Sequence, residues 1–264
     1  MRVLFWNTHR NTNINSILSE LITENRIDIV VLAEYEADID ELIDMLLEGD
    51  VEMQRYRTPG CERIKIIGSI KQVDLGQQSD DASMLIINND CILCGVHLPS
   101  QIYTSNKGDR SITIGQLVED IQDLEKSISN ENTIIVGDFN LNPFDAEITN
   151  ANSLHSLPCY HVAKKKTRVV AKKEFQMFYN PMWNFFGDFS MPYGTYYYAR
   201  NNNSNIFWHL YDQVIIRPSL RERFIDKELK IITETENRFL LDSKGHPDKK
   251  ISDHLPVVFE IKEN

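Results

Sequence analysis

The run Thr133-Ile134-Ile135-Val136 is short, apolar and β-branched, and it leads straight into Gly137-Asp138-Phe139-Asn140. A run with no polar alternation predicts a strand covered on both faces, which demands a layered sheet structure. Gly137 is expected to end the strand and let the backbone turn. Asp138 and Asn140 then fall on one side of an extended segment, so a carboxylate and an amide reach the same sheet edge. Asn142-Pro143 is expected to close the loop and open a helix. Taken alone, the stretch also reads as an ordinary turn, because Asp and Asn are common after a strand.

Other segments supply the layers. Arg2–Asn7 reads as a strand exiting at Asn7, and Asn11-Thr12-Asn13 supplies caps for a helix with Ile14, Ile17, Leu18, Leu21 and Ile22 on one stripe. Asp28–Glu34 is an apolar strand with Glu34 at its exit, followed by a helix over Ile39–Leu47. Arg63–Ile70 and Ser83–Asn88 read as strands, with a turn-rich link over Gly76–Asp81. Cys91–Leu98 is a strand exiting at His97, and residues 111–129 carry the clearest helical repeat, Ile114, Leu117, Ile121, Leu124 and Ile128. Ile206–Ile216 reads as a strand with Asp212 in its middle, Lys230–Thr233 as another, and Val257–Ile261 as the last. Strands outnumber helices, and hairpin-like links mix with crossover helices. The expected architecture is a four-layer αββα sandwich, two mixed sheets face to face with helices outside.

A length of 264 residues fits one domain, and 42% hydrophobic with 25% charged residues fits a packed core. From about 151 to 200 the periodicity fails. This irregular insertion holds the basic run Lys164-Lys165-Lys166, Arg168, Lys172-Lys173, and then aromatics from Phe175 to Phe189 and Tyr196-Tyr197-Tyr198. A net charge of −11 argues against coating nucleic acid or anionic membrane by charge alone, though it permits a local basic groove. No signal peptide is legible in Met1–Asn7 and no apolar run reaches membrane-spanning length, so the expected location is cytoplasmic. Cys91-x-x-Cys94 has the spacing of half a zinc site or a redox pair. It lies in a strand, where residues three apart face opposite ways, so both cysteines are expected to be packing residues.

Polar residues recur where apolar strands end: Asn7, Glu34, His97, Asp138 with Asn140, and, late in the chain, Asp212 and Asp253-His254. Their number suggests one pocket at one end of the sheets. The pieces Trp6-Asn7, Leu32-Ala33-Glu34, Gly95-Val96-His97-Leu98, Gly137-Asp138-Phe139-Asn140, Tyr211-Asp212-Gln213-Val214 and Ser252-Asp253-His254-Leu255-Pro256 resemble, in order and across nearly the whole chain, the endonuclease/exonuclease/phosphatase (DNase I-like) superfamily. Ala33 departs from that pattern, which usually has Gln before the metal-binding Glu. The resemblance implies Glu34 as principal metal ligand with Asn7 and Asp253 nearby, and Asp212–His254 as a pair.

The chemistry can also be argued directly. If Glu34, Asp138 and Asp253 converge, each pair of charges at ~4 Å repels by about 4 kcal/mol at an effective dielectric of ~20. Protonation or a cation must relieve this, and all-oxygen donors favour Mg²⁺ or Mn²⁺. Asp138 would then align or deprotonate a water, and Asn140 would hold that water or the phosphate. Protonated His254, oriented by Asp212, would donate to a non-bridging oxygen, and His97 would serve the leaving-group side. Plain structural roles compete with these: a loop cap for Asn7, a solvated edge charge for Glu34, a hydrogen-bonded structural histidine for His97. His155, His161, His209 and His246 show no partner pattern and read as surface or structural.

Lys164, Lys165, Lys166 and Arg168 read as a solvated loop whose functional alternative is contact with a phosphate backbone; the neighbouring aromatics read as satellite core, with base stacking as the alternative. The expected function is metal-dependent hydrolysis of nucleic-acid phosphodiesters, DNA favoured. One alternative is a phosphatase or phosphodiesterase acting on an inositol phosphate, lipid head group or nucleotide. Another is a catalytically silent binding member, whose mark would be gaps in the constellation.

Overall fold

Apolar runs become the middle strands of two sheets, as their lack of polar alternation requires. The computed structural model describes residues 1–100, 107–189, 191–200, 203 and 205–263, with residues 107–109 as backbone only. In chain order the elements are β1 (Arg2–Asn7), α1 (Asn15–Asn25), β2 (Ile29–Ala33), α2 (Ile39–Glu48), β3 (Gln54–Tyr56), β4 (Ile64–Gly68), β5 (Val73–Gln78), β6 (Ala82–Ile87), β7 (Cys91–His97), α3 (Lys107–Ile128) and β8 (Thr133–Asp138). There follow α4 (Ala146–Thr149), β9 (Ser156–Leu157), α5 (Tyr160–Ala163), β10 (Thr167–Val170), β11 (Lys173–Gln176), β12 (Phe178–Tyr179), β13 (Tyr196–Tyr197), β14 (Trp208–His209), β15 (Asp212–Ile216), β16 (Lys230–Ile231) and β17 (Val257–Glu260).

The first sheet has the order β16-β17-β1-β2-β4-β3 and the second β5-β6-β7-β8-β15-β12-β9. β1–β2 and β7–β8 are parallel pairs, joined through α1 and α3, because parallel neighbours need a crossover. Alternation along the strands shows which face is which. On β7, Cys91 and Leu93 join the core shared with the first sheet, while Ile92, Cys94 and Val96 pack with Ile114, Leu117 and Ile121 of α3. On β8, Ile134 and Val136 face inward and Ile135 faces α3. The sheets meet closely at Gly95, where a Cβ would lie 2.8 Å from Val31 Cγ1. Ile17, Leu18, Leu21 and Ile22 of α1, with Leu42 and Leu46 of α2, pack with the first sheet. Helix, sheet, sheet and helix therefore stack as expected. No helix among the described residues is long and apolar enough to cross a membrane.

Several local expectations are corrected. Gly137 lies inside β8 and does not end it; a Cβ there would sit 1.9 Å from Val96 O, so the residue permits close strand approach. Gly76–Asp81 is not only a link, because Gly76 to Gln78 complete β5, whose polar pattern is that of an exposed edge strand with a bulge. α1 starts after Ile14 with no side-chain cap; Asn11 instead accepts from Asn13 N and donates to Ile251 O. Asn142-Pro143 opens no helix, since α4 begins after Asp145 and Asn142 turns inward to His209 and Leu210 N. Asp212 is the first residue of β15 and not mid-strand, because Trp208–His209 pairs separately with β13. The irregular 151–200 segment contributes β9 and β12 to the second sheet and forms a separate ribbon from β10 and β11.

Candidate active site

Strand parity aims the polar exits. Asp138 continues the inward set Ile134 and Val136, Asp212 continues Val214 and Ile216, and His97 continues Cys91 and Leu93. The register places His97 opposite Asp138 and Asp138 opposite Asp212, so β7, β8 and β15 present all three at one level. Across the gap, β1 ends at Asn7 beside Ala33, and Glu34 follows β2 with a left-handed φ of 48°. Asn140 also has a left-handed backbone, φ 50°, a conformation that local hydrogen bonds let Asn tolerate. The Asp253-His254 segment is tied to β1: Trp6 Nε1 donates to His254 O at 2.9 Å and Ser252 Oγ donates to Asn7 O at 2.7 Å.

Asp138 is the centre. Its Oδ2 accepts from Asn7 Nδ2 at 3.0 Å and its Oδ1 from the Asn140 backbone N at 2.8 Å, while Asn140 Nδ2 donates to Leu98 O at 2.9 Å. His254 Nδ1 lies 2.8 Å from Asp212 Oδ2; its Nε2 lies 3.9 Å from both Asp138 Oδ2 and Asp253 Oδ1. His97 Nε2 stands 3.6 Å from Glu34 Oε1 and 3.8 Å from Asp138 Oδ2. Two imidazoles thus separate the four carboxylates, and all eight residues expected to act together come together.

The electrostatics follow from that interleaving. Burial disfavours a charge on His254, but Asp212, then Asp138 and Asp253, override it and push its pKa up to about 10. Burial raises the Asp212 carboxyl against the lowering effect of His254. The pair is best written as imidazolium and carboxylate, with Nδ1–H donated to Asp212 and Nε2–H turned toward Asp138 and Asp253.

Carboxylate and imidazole atoms gather most tightly at Asp138, Asp212 and His254, within 4.8 Å of one another. All three are buried; His254 and Asp212 share a hydrogen bond, and Asp138 joins them only as an ion pair, 3.9 Å from His254 Nε2. Glu34 and Asp253 are different. Among the described residues the Glu34 carboxylate has loose contacts, 3.6 Å to His97 and 3.5 Å to Arg10 Nε, and 25% of its side chain is exposed. Asp253 is met from outside by His9 Nδ1 at 3.1 Å. These oxygens can be offered to a hard divalent cation, and the donor chemistry fits one, with no thiol among them.

Sequence reasoning missed His9 and Arg10, although they follow Asn7 directly and the same strand-exit logic would have found them. It also missed Asp81, whose backbone O accepts from His97 N at 2.9 Å and whose carboxyl pKa is raised by burial. Tyr196 came only as part of an aromatic run, yet its ring lies 4.7 Å from that of His254. Of the two roles expected for His209, surface or structural, the structural one holds: it is buried, its Nδ1 lies 3.1 Å from Asn142 Nδ2, and its ring stacks on Tyr211. The basic run is not brought to the cluster. Lys166 lies 3.7 Å from Glu131, below the start of β8, whereas Asp138 is at its other end.

A two-sheet sandwich with carboxylates, amides and imidazoles gathered at one end of the inner faces defines a class of phosphoester-hydrolase folds. Residues 6–254 match the Endonuclease/Exonuclease/phosphatase family, and the chain belongs to it. Among solved structures it is similar to a 3′-5′ exonuclease from Neisseria meningitidis, with 17% identity, TM-score 0.61 and full coverage of both chains. It is likewise similar to an AP endonuclease from Archaeoglobus fulgidus, with 13% identity, TM-score 0.57 and full coverage of both. A third likeness is a 3′ phosphatase from Neisseria bound to a product DNA hairpin, with 15% identity, TM-score 0.61 and full coverage of both. These likenesses establish the fold. No curated protein sequence matches the chain.

Proposed function

We infer that the chain is a divalent-metal-dependent hydrolase of nucleic-acid phosphodiesters, acting by in-line attack of water. The observation that carries this reading is the line Asp212–His254–Asp138, at 2.8 and 3.9 Å, with Asn7 and Asn140 fastened to Asp138. Asp138, acceptor-only and held by two donors, orients the water and takes its proton. His254 keeps its proton at neutral pH and presents Nε2–H to a non-bridging phosphoryl oxygen, where a preorganised donor acts most strongly. Asp212 holds that ring in place. Asn140 and Asn7 fix the Asp138 carboxylate, and His97, between Glu34 and Asp138, serves the leaving-group oxygen. Held by Glu34 and Asp253 with Asn7 beside them, Mg²⁺ or Mn²⁺ would supply a Lewis acid for the phosphoryl group.

Nucleic acid is favoured by aromatic surface at the site. The rings of Tyr196 and Tyr211 stack 5.4 Å apart beside His254, both half-buried, and relatives of the same fold include proteins that act on DNA. The net charge of −11 favours the second reading, a phosphatase or phosphodiesterase on an inositol phosphate, lipid head group or nucleotide. Supercoiled DNA, single-stranded DNA, RNA and inositol phosphates, each with Mg²⁺, Mn²⁺ or EDTA, separate the two. Nicking or strand shortening that EDTA abolishes is the expected result. Phosphate release without strand cleavage supports the second reading, and silence on every substrate ends the enzymatic one.

A further inference from the structure

Between Glu147 and Glu174 the chain has no acidic residue, yet it holds Lys164, Lys165, Lys166, Arg168, Lys172 and Lys173, in a protein with 39 acidic residues. All six are exposed. Of these, only Lys166 has a carboxylate within 4 Å among the described residues. Among the described residues β10 and β11 pair with each other and with no other strand, and a two-stranded ribbon is marginal by itself in water. Its base is anchored: Met177 N donates to Lys166 O at 2.7 Å, and Arg217 Nη2 donates to Gln176 Oε1 at 3.0 Å, while the same guanidinium is held by buried Glu125. Residues opposite each other on a ribbon share a face, so Arg168 with Phe175 and Val170 with Lys173 form one side. Lys173 Nζ lies 5.1 Å over the half-buried Phe175 ring. Cations beside an aromatic ring suit phosphates and bases.

The ribbon stands away from the chemistry. Arg217 N donates to Thr133 O, which fixes the ribbon base at the start of β8 while Asp138 is at its end. Those six residues rise roughly 17 Å. The intervening side of the second sheet is not bare. β12 runs antiparallel to β15, and Asn180 Nδ2 donates to Gln213 Oε1 beside Asp212, so the turn after β12 returns to the active-site end. There Phe144 and Phe186 are exposed, with ring centroids 5.5 Å apart, and Trp183 lies 6.4 Å from Phe144.

We propose that the β10–β11 ribbon is a remote phosphate-backbone site, which makes the substrate an extended single strand running from Asp138 past Phe144 and Phe186 to the basic ribbon. This rests on the nucleic-acid reading of the active site. The tip Val169-Val170-Ala171 lacks the Trp, Phe or Leu that an element seated in a lipid interface carries, so a polyphosphate chain fits it better than a membrane. Even at about twice the ~3.4 Å rise of a stacked helical strand, an extended single strand needs roughly three nucleotides to span the ~17 Å gap, so a dinucleotide at the active site cannot reach the ribbon.

The test combines Lys164→Gln, Lys165→Gln, Arg168→Gln, Lys172→Gln and Lys173→Gln in the full chain, with a charge-keeping control, Arg168→Lys and Lys173→Arg. Binding of a labelled single strand of about 30 nucleotides is followed in EDTA from 50 to 200 mM salt, the range over which counterion release shows. Turnover of that strand and of a dinucleotide is measured with metal. The five-fold variant should bind the long strand at least ~10-fold more weakly, with the slope of log K against log salt reduced by about 3, while dinucleotide turnover and the control stay unchanged. Unchanged long-strand binding and slope overturn the proposal. So does loss of binding to anionic phospholipid vesicles with strand binding intact. Ribbon-dependent binding without turnover of any phosphodiester would leave the ribbon standing and remove the nuclease reading.

Discussion

Replacing Asp212 by asparagine tests the electrostatic core of the proposed mechanism. Asp212 is the foremost group raising the His254 pKa, and with Asp138 and Asp253 it lifts it from 6.5 to about 10 against burial. That lift corresponds to stabilisation of the imidazolium on the order of 5 kcal/mol. With a neutral amide at this position, burial is opposed only by the more distant Asp138 and Asp253, and the pKa should return to about 6.5 or below. At pH 8 the protonated fraction then falls from about 99% to about 3%, which alone predicts a ~30-fold loss in kcat/KM. Near pH 6 protonation accounts for almost no loss, so the defect must grow with pH. The assay is a pH profile of kcat/KM for both proteins, beside an NMR titration of the His254 ring in metal-free protein. A defect constant from pH 6 to 9, or a ring still titrating near 10, would refute the reasoning.

Other expectations are direct. Asp138→Asn should lower turnover roughly 10²–10³-fold or more and leave the circular dichroism spectrum unchanged; near wild-type turnover removes Asp138 from the mechanism. Gly137→Ala, whose Cβ would fall 1.9 Å from Val96 O, should cost more than about 3 kcal/mol in urea unfolding, whereas Gly115→Ala on α3, with nothing within 4 Å, should stabilise by roughly 0.5–1 kcal/mol. The thermal midpoint of metal-free protein should carry opposed histidine contributions, His254 on one side and on the other His209, joined by His155, whose pKa burial also lowers. The His254 contribution, with a folded pKa above its unfolded value, is complete below pH 6.5 and lost as pH rises toward about 10; the His209 contribution, with burial lowering its pKa to about 4, is complete above pH 6.5 and lost as pH falls toward 4. Asp212→Asn should abolish the alkaline decline and spare the acidic one; an alkaline decline that persists would assign it to another group.

What the linear chain settled was anything carried by period and by strand ends. Apolar runs at Ile29–Ala33 and Thr133–Val136 have nowhere to go but the inside of a layered sheet, and the repeat from Ile114 to Ile128 can only be a helix lying on one. The polar exits were legible because a carboxylate or amide directly after such a run must leave the core on a known parity. Other features existed only after folding. Gly137 proved to be a contact between two backbones, His9 and Arg10 gained meaning from Asp253 and Glu34, and β5 was hidden because an edge strand can be polar on both faces. The basic ribbon shows the limit most clearly: composition revealed its charge, but which end of β8 it occupies depends on pairing across distant sequence, and only the assembled sheet decides that.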